Sequence, residues 1–353
     1  MKDIVAYPYS RLEFMRQHPR QRKALRFILK QRIPIVITAV CFFVITRCFW
    51  INLFHEVFDE TFTTSGLKYS TAMAVNFSDL QFEYRILTEP RIERCANKTL
   101  FVFIPSRPSN FDQREAIRQT WAHPNKTVNA AFFFVLGDPV NKTISDGVEE
   151  ESRLYSDVIV NDIIDSYQNL TLKTYASLDW YQTFCPEVPY ALKIDDDSVV
   201  DADRLLHFVE TDFNLKSKKS IFGIVWKGTR VNRNENSTWF VPREVYDRSV
   251  YPPYLNGPAY LMTAEAVKAI LEKAPESPCL RVEDVFFTGV LASKAAVSRV
   301  DKRGIFWWDE KSIRVKPCDA YGVPRIATMY SYQTPRALVD AYRKLLRVSC
   351  AKN

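Results

Sequence analysis

An α/β fold, with a mixed and mainly parallel central sheet preceded by a single transmembrane helix, is predicted by three observations. From residue 98 onward, short apolar runs rich in Phe, Val and Ile alternate with segments of helical spacing. One such run, "YALKI", delivers three adjacent aspartates, Asp195, Asp196 and Asp197. Far upstream, "IPIVITAVCFFVITRCFWINLF" (33–54) is apolar for long enough to cross a bilayer at about 1.5 Å per residue. Strands alternating with helices imply parallel pairing with both sheet faces covered. Ligands then bind outside the carboxyl ends of the strands.

The 353 residues are 47% hydrophobic and 25% charged, an ordinary globular composition. The net charge of +7 is not a binding face: residues 1–32 hold nine Lys/Arg against Asp3 and Glu13, and the remainder is formally neutral. No nucleic-acid partner is expected. A dense basic flank on one side only makes 33–54 a signal-anchor helix rather than a buried core helix. The length of that flank, and the lack of a clean small-residue cleavage site, argue against a removed signal peptide. Arg47 lies near enough to one end to snorkel, and Trp50 suits interfacial depth. Residues 1–32 are then a cytoplasmic tail, and everything after 54 lies across the membrane.

Six N-x-S/T sequons begin at Asn76, Asn97, Asn125, Asn141, Asn169 and Asn236, all after the span. They fit a secretory-pathway protein. Cys95, Cys185, Cys279, Cys318 and Cys350 are expected in the oxidising compartment, where five is odd and leaves one free or paired between chains. There is no C-x-x-C, and only His123 and His207 follow residue 55, so a structural zinc site is not expected. Residues 55–94 lack sustained periodicity and read as a stem. Residues 95–353 read as one lumenal domain.

Within that domain, "TLFVFI" is a first strand and "DQREAIRQTW" a helix, with Ala116, Ile117 and Trp121 at helical spacing. "AAFFFVLG" is a second strand, stopped by Gly137-Asp138-Pro139. A helical segment through "VEEESRLY" leads to "DVIVND". "LTLKTYASLDWYQTF" is an amphipathic helix, and "YALKI" the strand that carries the acids.

Three carboxylates at a strand's end suit a hard divalent cation, which also bridges phosphates. Side chains alternate along an extended chain, so one cation is not expected to take all three. Asp197 and Asp195 are the expected metal ligands, with Asp196 left for a sugar or ribose hydroxyl. The competing reading is an acidic turn that starts a helix, since Asp201 and Asp203 are start signals for "DRLLHFVE". Arg114 and Arg118 share a helical face and could hold a diphosphate, or pair with nearby surface acids. "YPPYLNGPAYLMT" (251–263) offers rings that stack on sugars or fill a core. Glu283 and Asp284 precede an apolar helical face, as caps or as a general base.

"REAIRQTW", "FFFVLG", "ESRLYSDVIVNDIIDSYQNLTLKTYASLDW", "YALKIDDDSVV", "YPPYLNGPAYLMT" and "VEDVFFTGVLA" follow one another over residues 98 to 300. In this order they resemble the β-1,3-glycosyltransferases, the galactosyl- and N-acetylglucosaminyltransferase family related to fringe. The resemblance implies a GT-A-type nucleotide-sugar-binding fold, a UDP-sugar donor, Mn²⁺ at the aspartates and inversion at the anomeric carbon. It also implies a single-pass type II Golgi topology with the catalytic domain lumenal. The expected activity is transfer of a hexose, galactose before an N-acetylhexosamine, to the 3-hydroxyl of a glycan on a glycolipid or glycoprotein. The alternatives are an inactive glycan-binding membrane glycoprotein on the same fold, or a calcium-stabilised one.

On this resemblance Asp284 matches the catalytic base, with Glu283 second. Ser106, Arg114, Arg118, Lys193, Asp195 and Asp196 are expected on the donor side. Trp226, Tyr254, Asn256 and Gly257 are expected on the acceptor side, and Asp195 and Asp197 at the metal. Pro258 departs from the small residue many members have, and no histidine follows His207 to complete a metal shell as in some relatives. We expect disulfides Cys95–Cys185 and Cys279–Cys318 with Cys350 left over. A homodimer is left open.

Overall fold

The computed structural model describes residues 72–88, 91–123, 126, 128–213, 218–306 and 315–350. The basic tail, the apolar span 33–54, residues 55–71 of the expected stem and the sequon at Asn125 lie outside the described residues. Among the described residues no helix is long and apolar enough to cross a membrane.

The strands are β1 (Ala72–Asn76), β2 (Gln81–Thr88), β3 (Leu100–Pro105), β4 (Ala130–Asp138), β5 (Val158–Ile164) and β6 (Tyr190–Ile194). There follow β7 (Val199–Val200), β8 (Ser220–Gly223), β9 (Val225–Trp226), β10 (Tyr254–Leu255), β11 (Ala259–Thr263) and β12 (Ser298–Asp301). Nine of them form one sheet in the order β1-β2-β5-β4-β3-β6-β11-β8-β12. The pairs β5/β4, β4/β3, β3/β6 and β8/β12 are parallel, while β2 and β11 run against their neighbours. The sheet is thus mixed as expected, and parallel through its central strands β5-β4-β3-β6.

One boundary differs. Residues 72–88, assigned to the stem, form β1 and β2 and extend the sheet. Tyr84 and Ile86 alternate inward along β2, and the Tyr84 hydroxyl donates to Asp179 Oδ2 at 3.0 Å. That two-residue alternation was present in "FEYRIL".

Helices α1 (Phe111–Gln119), α2 (Lys142–Tyr155), α3 (Leu170–Phe184), α4 (Ala202–Thr211), α5 (Ala264–Glu272) and α6 (Pro335–Leu346) cover the sheet. Strand β3 is buried at every position, as a central parallel strand must be. Its Phe101 and Phe103 pack with Phe133, Trp180 and Tyr181 on one face, and its Leu100, Val102 and Ile104 with Ile117, Trp121 and Leu205 on the other. Asp201 starts α4 as anticipated, its Oδ1 accepting from Arg204 N at 3.0 Å.

Parallel register between β3 and β6 sets Phe103 opposite Lys193, so Ser106 and Asp195 leave the same edge of the sheet on adjacent strands. The disulfides are Cys95–Cys185, as expected, and Cys318–Cys350. The expected Cys279–Cys318 pair does not form. The segment Val315–Lys316 runs parallel to Ser349–Cys350 and draws Cys350 to Cys318, leaving Cys279 as the free thiol among the described cysteines.

Candidate functional site

The loop after β3 and the acids after β6 are bonded to each other. Asp196 Oδ2 accepts from Ser106 Oγ (2.7 Å) and Asn110 Nδ2 (3.0 Å), and its carbonyl accepts from Gln113 Nε2 at 2.9 Å. Lys173, from the first turn of α3, donates to Ser106 O at 3.0 Å and pairs with Asp165 at 2.8 Å. Asp196 thus locks the loop as much as it faces a ligand.

Arg114 and Arg118 do share a helical face, but neither is open to a diphosphate nor paired at the surface. Arg114 is fully buried, with Nε on Glu151 at 2.8 Å, one terminal nitrogen on Arg107 O at 2.7 Å and the other on Pro108 O at 3.0 Å. Arg118 joins Glu151 to Asp157, at 2.7 and 2.8 Å, and lies over the Tyr155 ring. Burial alone would raise the Glu151 carboxyl, but the two guanidinium groups hold it below its ordinary range. Arg114 thus holds the Ser106–Pro108 loop from behind, and Arg118 braces the Glu151 they share.

Lys193 departs from its expected donor role in the same way. Its side chain is 1% exposed, and Nζ donates to Asp195 Oδ1 (2.5 Å) and Gly257 O (2.7 Å) and lies 3.8 Å from Glu283 Oε2. Glu283 is itself buried and accepts from the Tyr260 hydroxyl at 2.5 Å. Burial pushes its carboxyl up to about 7, against the pull of Lys193. Asp284 is half-buried instead. Its Oδ1 caps the π-helical segment Val285–Leu291 by accepting from Val285 N at 2.8 Å, and the Gly257 N–H also points to its carboxylate. Burial raises its pKa, with those N–H groups and Lys193 opposing. Gly257 leaves little room for a side chain, because a Cβ there would lie 3.2 Å from Asp284 Oδ2.

Asp197 faces a cleft of about 240 Å³ that it shares with Asn110, Gln113, Asp196 and Gln333. Its Oδ2 accepts from Gln333 Nε2 at 2.7 Å and its carbonyl from Tyr332 N at 2.8 Å. Burial, with the neighbouring acids adding, raises both Asp197 and Asp195, the latter to about 6 although Lys193 opposes it. A cation beside them would relieve that crowding. Among the described residues no group of three or more His, Cys, Asp or Glu forms a metal cage. Carboxylates at an open cleft are the donor set of a hard divalent ion that takes its other oxygens from phosphate and water.

On the other side of Asp284, Tyr254 pairs across the β9/β10 ribbon with Trp226. Both ends of the Asn256 carboxamide are engaged, Oδ1 by Trp226 Nε1 (3.1 Å) and Nδ2 by the Tyr330 hydroxyl (2.7 Å), so Asn256 frames the rings. Pro258 contributes its carbonyl, which accepts from Asp195 N at 3.0 Å. Of the sequons, Asn76, Asn97, Asn141 and Asn236 are exposed, whereas Asn169 is half-buried and its Nδ2 donates to Ile164 O at 2.9 Å.

Residues the sequence reading missed are Asn110, Gln113, Tyr167, Trp239 and Gln333, while Tyr260 fills the core as expected. Trp239 is 59% exposed, and its Nε1 donates to the Tyr167 hydroxyl at 3.0 Å. Thr171, in the turn after Tyr167, donates to Leu280 O at 2.8 Å, just ahead of Glu283. Tyr260 carried a signal, since it stands in the apolar run "AYLM" of a strand that is buried at every position. Gln333 carried none: an amide 136 positions from Asp197 has no local pattern.

A family model described as Galactosyltransferase matches residues 112–303. The chain is similar to Beta-1,3-galactosyltransferase 1 of Homo sapiens, 32% identical over 231 residues that cover 64% of this chain and 69% of that protein. It is also similar to Beta-1,3-galactosyltransferase 2 of Mus musculus, 29% identical over 294 residues, 81% of this chain and 67% of that one. Among solved structures, a glycosyltransferase involved in the glycosylation of the major capsid of PBCV-1 aligns at a TM-score of 0.35 and 8% identity, over 69% of this chain and 98% of that one.

Proposed function

The chain belongs to the galactosyltransferase family, and from that premise we propose that it transfers a hexose, galactose first, from a UDP-sugar to the 3-hydroxyl of an acceptor glycan, with inversion and a β-1,3 link. The reading includes a GT-A-type fold and residence in the Golgi membrane as a single-pass type II protein. One observation carries it. Lys193 joins Asp195 of the acid triplet to the Gly257 turn that abuts Asp284, so the two acid centres are one bonded unit.

The Ser106 loop and the cleft beside Asp196 and Asp197 take the diphosphate, where Asp195 and Asp197 would hold Mn²⁺. Bound there, the ion supplies positive charge against the phosphates and the leaving UDP. Asp284 accepts the proton of the acceptor hydroxyl. The acceptor's hydroxyl oxygen attacks the sugar's C1 from the face opposite UDP, and UDP leaves with the electron pair of the broken C1–O bond. Burial raises Asp284 toward the working pH, which favours a general base. Glu283, enclosed between Lys193 and Tyr260, has no path to an acceptor. Trp226, Tyr254 and the Trp239–Tyr167 pair wall the acceptor side.

The test is UDP release by the full-length chain in detergent, with UDP-galactose, UDP-N-acetylglucosamine and UDP-N-acetylgalactosamine, each with a glycoside panel and with Mn²⁺ or EDTA. Asp284→Asn is expected to lower kcat by roughly 10²- to 10⁴-fold while UDP affinity by calorimetry stays within about twofold. Near-full activity in Asp284→Asn moves the base elsewhere. No UDP release from any donor by the wild-type chain favours the inactive glycan-binding alternative.

A further inference from the structure

We propose that Gln333 is a direct ligand of the cation site, its side-chain oxygen completing the set begun by Asp195 and Asp197. The inference rests on the metal reading above and names a residue of this chain that the reading does not use. Gln333 lines the cleft with Asp196 and Asp197, and its Nε2 stands 2.7 Å from Asp197 Oδ2. The two ends of a carboxamide are nearly the same size. A half turn about the last side-chain bond therefore puts Oε1 where Nε2 stands, changing a donor into an acceptor without moving the rest of the side chain. Hard divalent ions take amide carbonyl oxygens alongside carboxylates. Since no group of three or more His, Cys, Asp or Glu forms a cage among the described residues, an amide oxygen can complete the set, and of the side chains that line this cleft Gln333 is the one bonded to an Asp197 carboxylate oxygen.

The backbone around Gln333 is held for this purpose. Ser331 has φ of 80°, in the left-handed region that a non-glycine residue occupies only when its surroundings impose it. The imposing contacts reach back to the acids. Tyr332 N donates to Asp197 O at 2.8 Å, and Gln113 Nε2 bridges Asp196 O (2.9 Å) and Tyr332 O (3.1 Å). Strand β7, which follows the triplet, pairs with Thr328–Met329 just upstream. Asp197 and Gln333 are therefore fixed to each other by backbone as well as by side chain. A neutral oxygen in this place selects hard ions such as Mn²⁺ and Mg²⁺ over Zn²⁺, which favours nitrogen and sulfur.

The experiment titrates Mn²⁺ alone into the full-length chain in detergent, with and without UDP. Free Mn²⁺ is followed by electron paramagnetic resonance, and water-proton relaxation counts the waters on the bound ion. Gln333→Met, close in shape but without the oxygen, is expected to weaken Mn²⁺ binding on the order of 10- to 100-fold and to add one bound water. Gln333→Glu keeps the oxygen and is expected to bind at least as tightly as wild type. Wild-type affinity and relaxation in Gln333→Met overturn the inference. So does a loss in Gln333→Glu as large as that in Gln333→Met, because Gln333 would then serve only as an N–H donor to Asp197. Should Gln333→Met not fold, Gln333→Glu decides alone: Mn²⁺ binding tighter than wild type, as an added carboxylate ligand gives, carries the inference, and unchanged or weaker binding overturns it. No Mn²⁺ uptake by the wild-type chain, with UDP or without, overturns the metal reading and this inference together. Uptake that neither variant alters overturns this inference only.

Discussion

Lys193 sits among acids, with Asp195 at 2.5 Å and Glu283 at 3.8 Å, and its ammonium also reaches the Gly257 carbonyl. A buried cation so placed compensates one carboxylate well and two only in part. The shortfall appears at Glu283, whose carboxyl rises from about 4.5 to about 7 because burial outweighs Lys193 and Asp284 adds its own charge. Between those values the folded chain binds a proton that the unfolded chain does not. Stability contributed by Glu283 is therefore full at the acid end and is lost as pH rises through about 7. Asp195, raised to about 6, slopes the same way but is 34% exposed and better screened. Glu283→Gln is expected to remove most of the fall in urea midpoint between pH 5 and 7.5, measured in EDTA, and to keep the Tyr260 hydrogen bond through its amide oxygen. An unchanged slope would place the proton on another group. The sequence named Glu283 and Asp284 as a pair. Only the family resemblance put Asp284 first; spacing alone could not rank them, because their ranking depends on which carboxylate is enclosed and which is open.

At the scale of elements, local pattern served well where burial is periodic. The helix "LTLKTYASLDWYQTF" and the strand "YALKI" coincide with α3 and β6. It served poorly where a side chain's role is set by a partner far along the chain. Arg114 and Arg118 have helical spacing, but Glu151 and Asp157, from α2 and the turn after it, draw them inward. The apolar face after Asp284 reads as an α-helix and is instead π-helical over Val285–Leu291, an irregularity often found at functional sites. Its start lies against the turn between β10 and β11, where Gly257 sits close beside Asp284. In Gly257→Ala the added methyl would stand 3.2 Å from Asp284 Oδ2, closer than such contacts normally allow. The carboxylate must shift by a few tenths of an ångström. Misplacement of about 1 Å can cost on the order of 10²-fold. We expect kcat in Gly257→Ala to fall by roughly 10-fold, with acceptor KM and melting temperature little changed. Loss of stability instead would mean that the turn, and not the carboxylate, gives way.

For the whole molecule, the sheet's class was legible because alternating strands and helices permit few arrangements. The extension by β1 and β2 was not, since an edge strand with one buried face shows only two or three inward residues and β1 has a single buried one, Val75. Cysteine pairing was equally hidden, because it depends on which distant segments the topology brings together. Cys95 closes a separation of 90 residues with Cys185, enclosing β3, β4, β5 and the Ser106 loop, whereas Cys318–Cys350 spans 32 residues. In the chain-entropy account, closure of the longer loop stabilises more, by about 4 kcal/mol or somewhat above, and the shorter by about 3–4 kcal/mol. Cys95→Ser/Cys185→Ser should therefore lower the unfolding free energy more than Cys318→Ser/Cys350→Ser. Cys279→Ser should change it by less than about 1 kcal/mol, since the thiol it removes is bonded to no other sulfur among the described residues. Urea unfolding of the three variants, with non-reducing peptide mapping of the wild type, separates this pattern from the Cys279–Cys318 alternative. In that alternative Cys279→Ser would be costly and Cys350→Ser neutral, and a map with Cys279 in a disulfide would reject the topology that brings residues 315–316 beside 349–350.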